Sequence, residues 1–85
     1  MQKHIKVYMD FFGYTEADSI NCILCPAVAT DIHHIIPRSR IFGKDRDKIE
    51  NLCPLCRICH DKVHNNMKVY EPILLNLQKK IINDR

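Results

Sequence analysis

Five cysteines in 85 residues constrain this chain more than any other feature. They fall in two groups, Cys22-x-x-Cys25 and Cys53-x-x-Cys56-x-x-Cys59. A tetrahedral ion needs four soft ligands, and a Cys-x-x-Cys step lets two thiolates reach one ion from a single turn of chain. Joining the two groups would close a loop of ~30 residues, where a crosslink removes much unfolded-state freedom. Spacing alone leaves open which two of Cys53, Cys56 and Cys59 take part. Disulfides, unconnected buried thiols and an iron–sulfur cluster are the alternatives. The cysteine count is odd, and the start Met1-Gln2-Lys3-His4 lacks the apolar run of a secretory signal. Both features lead us to expect a reducing, cytoplasmic setting, in which disulfides are scarce. Iron–sulfur cysteine runs are spaced differently. A structural zinc is therefore expected.

The staple is needed because the chain is small. A single domain of this length buries roughly 64% of its unfolded surface, a marginal core. With 46% hydrophobic residues, 2 Gly and 4 Pro, the composition excludes disorder and collagen. No apolar stretch approaches the ~20 residues of a membrane span. Thirteen basic against ten acidic residues give a net charge of +3, compatible with a polyanionic partner without identifying one.

Ile5, Tyr8, Met9 and Phe12 share one helix face, and Gly13 is placed to end that helix. Cys22 to Pro26 reads as a knuckle loop. Val28 to Ile36, rich in β-branched residues, predicts a strand stopped by Pro37. Arg38 to Lys48 reads as a polar loop turning at Gly43, and Ile49 to Leu55 as the returning strand of a hairpin. A helix starts after Cys56, with Cys59, Val63 and Met67 in line. Val69 to Pro72 predicts a break, with Pro72 opening a last helix. That helix would bury Leu74, Leu77 and Ile81, flanked by Ile73 and Ile82. The expected fold class is α+β: a hairpin and a helix between terminal helices.

His33, His34, His60 and His64 form two tight clusters close to the cysteines. A zinc at Cys56 and Cys59 would fix where the helix begins, and hence where His60 and His64 point, since i and i+4 share a face. If the hairpin packs on that helix, His33 or His34 can meet them. Imidazoles around a cation with open positions make a catalytic rather than a structural site. The plainer reading makes them surface polar groups or extra zinc ligands. Adjacent strand residues point to opposite faces, so His33 and His34 serve one site only if the strand bends or ends there.

Asp31-Ile32-His33-His34-Ile35-Ile36-Pro37-Arg38-Ser39, then Asn51-Leu52, then Leu55-Cys56-Arg57-Ile58-Cys59-His60, resembles the HNH endonucleases. The resemblance runs from Cys22 to about His64 and implies a ββα-metal finger of the four-cysteine type. It favours Cys22, Cys25, Cys56 and Cys59 as zinc ligands. By position, His34 matches the general base, Asn51 the asparagine that pins the hairpin loop, and His60 a metal ligand. Where the family most often has Asp, this chain has His33. In that respect it looks more like the bacteriocin-type DNases, whose analogues of His33, His60 and His64 bind the catalytic metal. Three imidazoles favour Zn²⁺, Ni²⁺ or Mn²⁺, and Mg²⁺ less.

These residue types suit phosphodiester hydrolysis. An imidazole with an ordinary pKa of ~6.5 can take a proton from water near neutral pH. Arg38, Arg40 or Arg57 could hold DNA phosphates, although any one of them could equally be a solvated surface charge. The expectation is one HNH nuclease domain over 1–85 acting on DNA: helix and turn at 1–21, knuckle and finger at 22–67, helix at 68–85. The alternative is a zinc-stabilised module that binds nucleic acid or protein without cutting. Restriction, mobile-element, phage and toxin proteins all use this finger, and a small lone domain of this kind looks most like a phage protein.

Overall fold

The protein is described here from a computed structural model, which covers residues 2–37, 40 and 43–84. Helix α1 (Lys3–Phe12) ends at Gly13, whose φ of 74° is left-handed. The Gly13 and Tyr14 amides close back on Asp10 and Met9. A Cβ at Gly13 would meet nothing within 4 Å, so the backbone torsion, not space, is what favours glycine here. Tyr8, Ile5 and Phe12 turn inward as their spacing predicts.

The knuckle is held by the Cys22 amide on the Ala27 carbonyl and the Ala29 amide on the Ile20 carbonyl. Strand β1 (Asp31–His34) pairs antiparallel with β2 (Leu52–Leu55), with His33 opposite Cys53 and His34 opposite Leu52. Both strands are shorter than the β-branched runs predict. Val28 instead bridges Asn21 inside the knuckle and is exposed. Beyond His34 the chain leaves the ladder, and Asn51 takes over the pairing of Ile35 and Ile36. Ile49–Asn51 winds as a 3-10 turn before β2 starts. Of the loop expected over 38–48, residues 38, 39, 41 and 42 lie outside the described residues, and Gly43–Asp47 is a further 3-10 turn. Pro54 has no amide to donate, which suits a two-stranded sheet, and its carbonyl accepts from Ile23.

Helix α2 (Arg57–Asn65) begins at Cys56, whose Sγ accepts the Cys59 amide. The expected break at Val69–Pro72 does not occur. The helices part at Asn66 (φ −148°, ψ 50°), and Pro72 lies inside α3 (Met67–Asn83). Asn65 and Asn66 are weak helix formers, whereas Pro72 removes one donor on an exposed face where water can reach the freed carbonyl. The buried stripe of α3 is also rotated from the expected one. Leu74 and Gln78 are buried while Ile73 and Ile81 are exposed, because the Gln78 amide is drawn in to donate to the Ile49 carbonyl (3.0 Å).

The sheet thus has a core on each side. Tyr8, Ile32 and Leu52 fill the α1 side, and Cys53, Leu55, Val63 and Leu74 fill the α2–α3 side. This is an α+β domain built on a ββα finger.

Candidate functional site

The four thiols of Cys22, Cys25, Cys56 and Cys59 lie within 4.8 Å of one another. Cys25 and Cys56 sulfurs are 3.6 Å apart, far beyond a disulfide and close to the ~3.8 Å between sulfurs of a tetrahedral zinc with Zn–S of ~2.3 Å. The Leu24 amide donates to Cys22 Sγ (3.4 Å), and the Cys59 amide to Cys56 Sγ (3.5 Å). Such donors favour thiolate. At Cys22 burial acts against the charge, but backbone amides outweigh it and bring the thiol down to about 7. Burial pushes Cys59 up to about 12. A cation would therefore have to displace protons, as thiolate sites require. The donor set and spacing fit a structural metal such as zinc. Cys53 is fully buried and stands outside this cluster; burial pushes its thiol up to about 12, so it serves as an apolar core residue.

The histidines divide by strand parity. His33 faces α2, where its ring meets the His60 edge (centroids 5.2 Å), and His60 stacks over His64 at 6.5 Å. His33 Nε2 is buried with no hydrogen-bond partner. Burial first, then the nearby His60, His34 and His64, push its pKa down to about 4, so the ring is neutral, the form that ligates metal. A neutral imidazole with a buried, unpartnered nitrogen, on a ring beside that of His60, fits a borderline divalent cation. The three rings are spread more widely than the four thiols, which among the described residues form the cluster within 4.8 Å.

His34 turns to the α1 side. Its Nε2 is 2.8 Å from Asp47 Oδ1, and its ring lies 4.4 Å from that of His4. Asp47 and His4 were not singled out in the sequence. Asp47 is thirteen residues from His34 in a stretch of alternating charges, and His4 lies in a helix outside the motif. No periodicity links either to His34. Asn51 is buried; its Oδ1 accepts the Ile36 amide (2.7 Å) and its Nδ2 donates to the Ile36 and Arg46 carbonyls (3.2 and 2.9 Å). It laces the two arms of the hairpin together beyond the last ladder pair. Of the three arginines expected to contact phosphate, Arg40 is ion-paired with Glu71 of α3, Arg57 is exposed at the start of α2, and Arg38 lies outside the described residues.

A finger with this hairpin, thiol cluster and histidine set is a nuclease-type domain. The family model for HNH endonucleases matches residues 17–66, and the chain belongs to that family. A mitochondrial DNA mismatch repair protein mutS homolog from Sarcophyton glaucum is 35% identical over 49 residues. The match takes in 54% of this chain and 5% of that much longer protein. No solved structure matches the chain significantly. Among the described residues, no helix is long and apolar enough to cross a membrane.

Proposed function

We propose that this domain, read as one unit over 1–85, is a metal-dependent endonuclease that hydrolyses phosphodiester bonds in DNA. The observation that carries this reading is the buried, unpartnered Nε2 of His33 set against His60 and His64, on the residue next to His34. His33, His60 and His64 would hold the catalytic divalent cation, Zn²⁺, Ni²⁺ or Mn²⁺ ahead of Mg²⁺. Cys22, Cys25, Cys56 and Cys59 would hold zinc. When bound, the catalytic cation supplies Lewis-acid stabilisation to the phosphate and the departing 3′ oxygen.

His34 ends β1, so its ring and that of His33 diverge from adjacent Cα atoms ~3.8 Å apart. A phosphodiester lying across the strand end would meet both. His34 accepts a proton from the attacking water, whose oxygen bonds to phosphorus as the bond to the 3′ oxygen breaks. Asn51 fixes the turn beyond His34. Lys3 and Arg46 line the open cavity of about 480 Å³ next to His34 and offer cationic contacts to the DNA backbone. A reducing cytoplasmic setting suits the free thiols.

The test is plasmid nicking with added Mn²⁺, Ni²⁺ or Mg²⁺. The parent is expected to nick, and His34→Ala to lose about 10²–10⁴-fold in rate. Equal cutting by His34→Ala would remove His34 as the base. A parent that binds DNA but leaves it whole with every metal would favour the non-cleaving module.

A further inference from the structure

Building on the nuclease reading, we propose that Asp47 is a positioning residue for the reaction: it holds His34 in a single tautomer, so that the nitrogen accepting the proton from water is Nδ1. Asp47 Oδ1 and His34 Nε2 are 2.8 Å apart, and the two side chains are only 11% and 20% exposed. An ionised carboxylate has no proton to give, so the imidazole must be the donor in this bond. The hydrogen bond from His34, ahead of all other influences, holds the Asp47 carboxyl below its usual range and keeps it ionised at neutral pH. A neutral His34 ring with its proton on Nε2 carries its lone pair on Nδ1.

The surroundings leave the pair little freedom. Asp47 closes the Gly43–Asp47 turn, and the Arg46 carbonyl just before it is gripped by Asn51. The same Asn51 grips both backbone groups of Ile36, two residues past His34. The asparagine of the motif therefore ties together the backbone beside the base and the backbone beside the carboxylate. On its other side the His34 ring meets His4, which is itself tied to the Ile32 backbone. Both His34 and Asp47 line the open cavity of about 480 Å³ beside Lys3 and Arg46.

In the step itself, one proton passes from water to Nδ1 and the hydroxide oxygen bonds to phosphorus. The bond from phosphorus to the 3′ oxygen then breaks, and solvent protonates the leaving oxygen. The Nε2 proton stays on His34 throughout, and Asp47 faces the imidazolium with its charge unchanged. Asp47 thus acts as the third group that orients a general base.

Nitrogen-15 spectra of the His34 ring, recorded about two pH units above the ordinary imidazole value of ~6.5, read the tautomer directly. The signals are assigned by their loss in His34→Gln. The parent is expected to show one tautomer with the proton on Nε2. Asp47→Asn, nearly the same shape, can donate as well as accept, so both tautomers should appear, with kcat down about 10- to 100-fold and KM little changed. Asp47→Glu should recover the single tautomer and part of the rate. If Asp47→Asn keeps one tautomer and cuts at the parent rate, while His34→Ala is inactive, the role of Asp47 is refuted and the nuclease reading stands. A parent proton found on Nδ1 refutes it as well. If the parent cleaves no DNA, the nuclease reading falls and takes the role of Asp47 with it.

Discussion

His33 and His34 are neighbours in sequence, yet they belong to differently built faces of the hairpin. On the α2–α3 face, His33 is half-buried and neutral, with its Nε2 buried and without a hydrogen-bond partner, beside two further imidazoles and the packed thiol cluster. On the α1 face, His34 is partly exposed and satisfied by Asp47, and it borders an open cavity. A metal ligand must keep a lone pair free and dry, whereas a base must be held, oriented and reached by water. One strand end supplies both environments because successive side chains alternate across the pleat. On the proposed reading, a domain of 85 residues would separate binding a cation from moving a proton by using the two faces of one hairpin.

The comparison can be broken most severely at the thiols. Cys22→Ser, or chelation of the structural metal, is expected to abolish cooperative unfolding of the whole domain, because the metal contributes folding free energy outright. Circular dichroism with metal analysis checks this; a folded, zinc-free Cys22→Ser would show that hydrophobic packing alone suffices. Next in size, His60→Ala should weaken binding of a second divalent cation about 10- to 100-fold in calorimetric titration, leaving the thiol-bound metal and the His34 ring signals unchanged. Disturbed His34 signals would mean that the two faces are coupled.

Asn51→Ala should cost about 1–3 kcal/mol in denaturant unfolding, because it strands the Ile36 amide and two carbonyls, and it should loosen the α1 face more than the α2 face. Equal amide exchange on both faces would contradict its local role. The smallest effect concerns Tyr8, which burial first, and Tyr14 second, push above the ordinary 10.0. The unfolded chain then loses its phenolic proton first. Stability is full below about pH 10 and falls above it, by at most ~1.4 kcal/mol per pH unit. Tyr8→Phe should flatten that limb of the pH–stability curve measured in urea.

Much of the fold could be read locally. The α1 face and its glycine stop follow from 3.6-residue spacing and a left-handed cap, both properties of adjacent residues. The thiol pairs could be read because a Cys-x-x-Cys step has one use in common. The α3 stripe and the break before it could not, because tertiary contacts outweigh propensity there: a buried glutamine reaching the Ile49 carbonyl turns the helix against its own apolar pattern. The strands came out short for a similar reason, since Asn51 ends the ladder, pairing Ile35 through its backbone carbonyl and Ile36 through its side chain.

Residue order determined that a thiol-stapled finger would form, and which histidines would stand near its helix, since both depend on chemistry within a few residues. Folding in three dimensions decided which of two adjacent histidines met the helix, that Cys53 stayed out of the cluster, and that Asp47 and His4 reached His34. Those outcomes depend on strand parity and on contacts between distant segments, which no local pattern encodes.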